Sequence, residues 1–174
     1  MDLGRAQAVK TFCFHGAEST GKSVLAQKLA AELHCPWVPE YGREYCEETG
    51  TDLSMEDLLA IAEGQDRRMR TVTASSPSLV MLDTDPLMTA AWAEMLFGEV
   101  PSVLLAYPKA DRYLLFAPDV PWVGDGTRFF GTPVERARFA AIAEAVLVRA
   151  QVPFARIAGD WAAREAQVRA AVTM

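Results

Sequence analysis

The chain alternates short apolar runs with longer amphipathic ones, the order expected of strands alternating with helices. Ala8 to His15 reads as a buried strand, and Lys22 to Leu33 as the helix after it, with Val24, Leu25, Leu29 and Leu33 on or near one face. Trp37 to Glu40 is a short second strand, which Pro39 confines to a strand end or a sheet edge. Ser54-Met55-Glu56-Asp57 has the form of a capping box and opens a helix to about Ala74 in spite of Gly64, until Ser75 to Ser78 stop it. Leu79 to Leu82 is continuously apolar and ends at Asp83-Thr84-Asp85, as suits a parallel strand buried on both faces with acids at its carboxyl end. A helix follows from about Pro86 to Phe97, and Tyr113 to Ala117 forms a fourth strand. Thr132, Pro133 and Glu135 supply an N-cap, a first-turn proline and a third-position acid for a long helix to about Ala150. Phe154 to Ala158 is a fifth strand, and Asp160 caps a last helix. The pattern predicts one α/β domain over residues 1–174, its parallel sheet covered on both faces by right-handed crossovers. Pro118 to Gly131 is long and rich in Gly and Pro; with the turns after it, about 118–138, it is expected to act as a lid.

Composition narrows the partners. Half of the 174 residues are hydrophobic, enough for one sizeable core, and the formal charge of −6 offers nothing to nucleic acid or an anionic membrane surface. Cys13, Cys35 and Cys46 have no C-x-x-C spacing, so reduced thiols are expected rather than a disulfide framework or a zinc site. With no leader-like start and no apolar run near the ~20 residues of a membrane span, a cytoplasmic protein is expected. Alanine-rich stretches such as Ala140 to Ala150 suit a core or a dimer face equally, which leaves monomer and homodimer both open.

The chemistry enters at Gly16-Ala17-Glu18-Ser19-Thr20-Gly21-Lys22-Ser23, which matches G-x-x-x-x-G-K-[ST] at every fixed position between a strand and a helix. The glycines let consecutive N–H groups turn inward, and the helix that follows adds the positive end of its dipole. Lys22 is placed to reach the β- and γ-phosphates of ATP, Ser23 to ligate Mg²⁺, and Val24 to complete the nucleotide-binding set. Ligands of parallel α/β sheets bind beyond the carboxyl ends of the strands. Asp83 there has the setting of a Walker-B acid for Mg²⁺, or of a plain strand-ending acid. Glu40, Asp83 and Asp85 are candidates for the base that accepts a proton from the acceptor hydroxyl, and Glu40 and Asp85 are the catalytic choices. Asp85 before Pro86 also fits a helix cap. Arg128 and Arg136 flank the lid and are expected to supply at least one guanidinium over the triphosphate, whereas Arg138 fits a solvated helix face. Trp122 is a candidate to stack on a flat substrate and Asp119 or Asp125 to attract a cationic one; a tryptophan covering a core edge is the alternative. His15 reads as a polar residue at a strand end rather than an acid or base, and the sequence offers His34 no partner.

Taken with Glu40-Tyr41-Gly42-Arg43-Glu44-Tyr45, Gly64-Gln65, Asp83-Thr84-Asp85 and Pro118 to Arg128, the phosphate loop resembles the ribosylnicotinamide kinase domain of NadR-type proteins and their single-domain AAA-like relatives. The resemblance runs from about residue 10 to 170. It implies a P-loop kinase fold of strand order 2-3-1-4-5, with ATP and Mg²⁺ as donor and cofactor. The implied acceptor is the 5′-hydroxyl of nicotinamide riboside, bound by Glu40, Tyr41, Arg43, Gln65, Asp85, Trp122 and Asp125. The sequence departs from the full-length arrangement in having no helix-turn-helix and no nucleotidylyltransferase region, so the expected product is the mononucleotide. Two other readings stay open at this point. One is a nucleotide-dependent ATPase or switch module; the other is a kinase for another nucleoside or a nucleoside monophosphate, for which Arg43, Arg67 and Arg68 would hold the acceptor phosphate.

Overall fold

The computed structural model describes residues 8–124 and 128–173. Along the chain it carries β1 (Lys10–Gly16), α1 (Lys22–Glu32), β2 (Trp37–Val38), α2 (Tyr41–Thr49) and α3 (Met55–Thr73). There follow β3 (Leu79–Leu82), α4 (Pro86–Phe97), α5 (Ser102–Ala106), β4 (Arg112–Phe116), α6 (Pro133–Arg149), β5 (Phe154–Ile157) and α7 (Trp161–Thr173). The strands pair in parallel in the order β2-β3-β1-β4-β5. β1 is therefore central, with Phe12 opposite Met81 on one side and Arg112 on the other.

Alternation along the strands sorts the side chains into two cores. Phe12, Phe14, Met81, Leu114 and Phe116 pack against Leu25 and Leu29 of α1 and Val168 and Ala171 of α7. Cys13, Val80, Leu82, Tyr113 and Leu115 face the other way, against α3, α4 and α6. Phe14 and Phe116 stack with ring centroids 5.6 Å apart, and both are fully buried. β1 and β4 approach so closely at the rim that a Cβ on Gly16 would lie 2.6 Å from the Phe116 carbonyl oxygen; Gly16, at φ +123°, is where the chain leaves the sheet.

The helix starts follow local chemistry. Ser54 and Asp57 form both halves of a capping box, as do Thr132 and Glu135. Asp85 caps α4, accepting from Leu87 N at 3.0 Å, with Pro86 in the first turn. His15 is fully buried, its Nε2 lies 3.0 Å from the Ala143 carbonyl, and burial pushes its pKa down to about 3, which makes it a neutral core residue. Cys13, Cys35 and Cys46 are free thiols. Among the described residues no helix is long and apolar enough to cross a membrane.

Two helices have no counterpart in the hydrophobic pattern. α2 buries only Cys46, so it shows no apolar stripe, and α5 is five residues long. α2 owes its place to packing on α3. The Tyr41 ring packs on Gly64, where a Cβ would come within 2.1 Å of it, and Tyr41 N donates to Gln65 Oε1 at 2.7 Å. Gly64 stands within the unbroken α3 because the Tyr41 ring of α2 needs the space.

Alanine at position 64 is the better helix former by about 1 kcal/mol, yet here it collides with a ring. Gly64→Ala is expected to lower stability by roughly 1–3 kcal/mol through overpacking. The urea midpoint checks this; a raised midpoint would mean that helix propensity outweighs the contact.

Candidate active site

The polar groups converge at the carboxyl ends of β1, β2 and β3. Residues 16–21 turn over the sheet edge into α1, and Lys22 Nζ folds back on this loop, donating to the Ala17 carbonyl at 2.5 Å. Burial lowers the Lys22 pKa, while the charges of Glu40, Asp83 and Glu18 act to raise it. Ser23 Oγ donates to Asp83 Oδ1 at 3.0 Å, so a hydroxyl from α1 and a carboxylate from the end of β3 stand side by side. Burial raises the Asp83 pKa, and the Ser23 hydrogen bond and the Lys22 charge oppose it. This loop walls a cavity of about 570 Å³, to which Asp83 and Arg128 also contribute.

A second cavity of about 600 Å³ lies alongside. Its walls are apolar on the α3 side, with Leu58 and Ile61, and aromatic on the other, with Trp92 and Phe129, whose rings meet edge to face at 5.2 Å. Gln65 contributes a buried amide, its oxygen held by Tyr41 N and its nitrogen directed to the carbonyls of Pro39 and Thr84. Glu18, Glu40, Arg43 and Trp92 line both cavities. Glu40 therefore stands at the junction of the two. Burial and the charge of Asp83 push its carboxyl up to about 7, against the pull of Lys22 and Arg43. A carboxylate that titrates near neutrality between a phosphate cradle and a second cavity has the properties of a general base.

The segment after β4 lies on the loop. Glu18 accepts from Phe129 N at 2.9 Å, and Ser19 Oγ accepts from Val123 N at 2.7 Å and from Arg128 Nη1 at 3.3 Å. Arg128 Nη1 also donates to the Val123 carbonyl.

Other residues singled out in the sequence lie elsewhere. Asp85 is fully buried away from both cavities, capping α4 and accepting from the Tyr113 hydroxyl, and burial pushes its carboxyl up to about 6. Its environment is that of the helix cap rather than of a base. Trp122 folds onto its own loop, where a Cβ on Gly124 or Gly131 would come 2.8 or 3.3 Å from the ring, and it lines neither cavity. Arg136 is buried at the start of α6 and donates to the Val120 carbonyl at 2.7 Å, outside both cavities. Tyr41 packs on Gly64, Tyr45 and the Arg68 guanidinium rather than into the cavity. Arg67 and Arg68 pair with Glu63 and Glu44, which leaves Arg43 as the one of these three arginines on the cavity wall. Arg138 is exposed, and Asp125 falls outside the described residues.

Three contributors carried no signal in the sequence. Trp92 sits within a helix that is apolar nearly all round, and Phe129 follows Arg128 in an irregular stretch; neither position has a periodicity that marks a ligand wall. Arg164, in an alanine-rich helix, resembles a solvated residue, yet it is 1% exposed. Its guanidinium donates to the carbonyls of Gly159 at 2.8 Å, Ala117 at 3.0 Å and Thr20 at 3.3 Å, and it pairs with Asp119. One side chain thus ties the phosphate loop to the ends of β4 and β5.

Comparison with known proteins follows the same lines. Residues 11–164 match a family profile described as an AAA domain. The trifunctional NAD biosynthesis/regulator protein NadR of Escherichia coli strain K12 is 31% identical over 156 residues, 86% of this chain and 38% of that one. The chain thus spans under two fifths of that relative's length. Among solved structures, NadR protein in complex with NR superimposes with a TM-score of 0.81 at 23% identity, covering 95% of this chain and 51% of that one. NadR protein in complex with NAD and AMP-PNP gives a TM-score of 0.74 at 22% identity, over 93% and 48% of the two chains. The fold is the α/β P-loop kinase fold, with the five-stranded parallel sheet in the order 2-3-1-4-5.

Removal of the Arg164 guanidinium leaves three carbonyls without that donor, while Asp119, 42% exposed, turns to water. Arg164→Met is expected to destabilise the chain by roughly 1–3 kcal/mol, the cost of leaving acceptors about a buried side chain unpaired. Denaturant unfolding measures it, and a loss below 1 kcal/mol would show that water replaces the guanidinium without penalty.

Proposed function

Since the chain belongs to the AAA-domain family and has the P-loop kinase fold, we propose that it is an ATP-dependent phosphotransferase. Its acceptor in this reading is the 5′-hydroxyl of nicotinamide riboside, and its product nicotinamide mononucleotide. The observation that carries the proposal is the junction of two cavities at Glu40, one walled by the phosphate loop and the other by two aromatic rings and two acids. Nicotinamide riboside is flat and cationic; Trp92 and Phe129 offer ring faces and edges, and Glu18 and Glu40 offer negative charge. The likeness to NadR, one structure of which is in complex with NR, points to the same acceptor.

The residues divide the work. Loop N–H groups and Lys22 bind the phosphates, for which Lys22 Nζ exchanges the Ala17 carbonyl for phosphate oxygens. The paired oxygens of Ser23 and Asp83 are hard donors of the kind Mg²⁺ prefers and would hold it together with water and phosphate oxygens. When bound, Mg²⁺ would supply positive charge against the negative charge that develops on the transferring phosphates. The acceptor oxygen attacks the γ-phosphorus, the bond from that phosphorus to the β–γ bridging oxygen breaks, and the hydroxyl proton passes to the Glu40 carboxylate. Arg128, held against Ser19, adds positive charge on the nucleotide side. The segment 118–138 acts as the lid that keeps water from the γ-phosphate.

Incubation of the chain with Mg-ATP and a panel of nucleosides and nucleoside monophosphates tests this, with both ADP and phosphorylated acceptor measured. ADP and nicotinamide mononucleotide are expected in equal amounts, and Lys22→Ala is expected to abolish both. ADP without phosphorylated acceptor would transfer the reading to an ATPase.

Glu40 accepts a proton only when ionised, and its carboxyl titrates at about 7. The kcat/KM for acceptor is therefore expected to rise with pH up to about 7 and level off above it. Glu40→Gln should lose roughly 10²-fold or more in kcat together with that rising limb. Full activity in Glu40→Gln would remove Glu40 from the role of base.

A further inference from the structure

A threonine inside a helix readily returns its hydroxyl to the carbonyl one turn back. Thr49, Thr71, Thr73 and Thr173 all do so, donating to the carbonyls of Tyr45, Arg67, Met69 and Arg169 at 2.7 to 2.9 Å. Thr89, within α4, does not. It is only 5% exposed, and its hydroxyl has no hydrogen-bond partner among the described residues. An unpaired buried hydroxyl is a cost to the fold, one that a ligand supplying the missing partner would relieve.

Its place gives that hydroxyl a use. Thr89 lines the second cavity and not the phosphate cavity, whereas Thr84, whose hydroxyl is likewise without a described partner, lines both. Thr89 also stands three residues before Trp92, so the two are neighbours on one face of α4. A flat ring held by Trp92 and Phe129 thus turns an edge toward Thr89, on the side away from the junction where Glu40 meets the reacting hydroxyl. Gln65 is no substitute donor there, because its amide nitrogen is directed to the carbonyls of Pro39 and Thr84 at 3.4 and 3.3 Å. A threonine hydroxyl both donates and accepts, which matches a carboxamide, itself a donor and an acceptor.

Resting on the nicotinamide riboside reading above, we infer that Thr89 determines acceptor specificity: its hydroxyl hydrogen-bonds the carboxamide on the acceptor ring while Trp92 and Phe129 hold the ring itself. Stacking and negative charge accept any flat cationic ring. A buried hydroxyl that the wrong ring leaves unpaired supplies the discrimination that they lack.

The test compares nicotinamide riboside with the pyridinium riboside that lacks the carboxamide, each with Mg-ATP, on the wild-type chain, Thr89→Val and Thr89→Ser. The wild-type chain is expected to prefer nicotinamide riboside by roughly tenfold to a hundredfold in kcat/KM. Thr89→Val is expected to lose that preference through the acceptor KM, with the KM for ATP unchanged, and Thr89→Ser to keep most of it. Because the hydroxyl is unpaired in the free chain, Thr89→Val is also expected to leave the urea midpoint unchanged or to raise it. A wild-type chain without the preference would overturn the inference, as would a Thr89→Val that keeps it. So would a loss shared equally by the two ribosides or a lowered midpoint, the marks of a hydroxyl that only supports α4. Those results leave the acceptor reading standing, whereas a wild-type chain that phosphorylates neither riboside would remove both.

Discussion

The Lys22 ammonium lies within electrostatic reach of Glu18, Glu40 and Asp83, and most of the chemistry of this molecule follows from that placement. Each of the three carboxyls is raised by burial, and for each the lysine is among the charges that draw it back toward ionisation. The same charge contributes to keeping His15 neutral one residue before the loop. Arg43 and Arg128 join Lys22 on the same cavity wall, so the three acids face three cations, and burial is what holds the acids above their ordinary titration range. An arriving triphosphate would bring further negative charge beside these acids, which is why counter-charge from Mg²⁺ and Arg128 belongs to the proposed mechanism.

Such a cluster holds its shape only if the loops that carry it cannot drift. The parallel sheet sets the positions of the loop bases, and the Gly16–Phe116 contact brings β1 and β4 together at the rim. Above the rim the work falls to side chains. Arg164 links the phosphate loop, the end of β4 and the turn after β5, while Asp119 receives both that guanidinium and Gly159 N. Arg164 is itself buried, so any shift of these segments leaves several of its donors unpaired at once.

The acids at the end of β3 show how two neighbours with nearly the same sequence setting part company. Asp83 turns to Ser23 and the cavity, whereas Asp85, two residues on, turns to Leu87 N and the Tyr113 hydroxyl. The aromatic residues part in the same way. Trp122 folds against glycines of its own loop, and Trp92 joins Phe129 on the cavity wall while also packing on Phe130 and Phe139.

The alternation of elements, the phosphate loop, the capping of α3, α4 and α6, and the family to which the chain belongs were all legible in the sequence. Each rests on neighbours a few residues apart: the φ angle of a glycine, a side chain reaching the N–H three residues on, the spacing of apolar positions along a strand or helix. The place of Glu40 beside the phosphate loop was legible as well, because it lies just beyond the carboxyl end of β2. Which tryptophan walls the cavity, why α2 exists and what Arg164 holds were decided only by tertiary structure. Those outcomes depend on contacts such as Tyr41 with Gln65, 24 positions apart, and Arg164 with Thr20, 144 positions apart, and no local pattern encodes the direction in which such side chains meet.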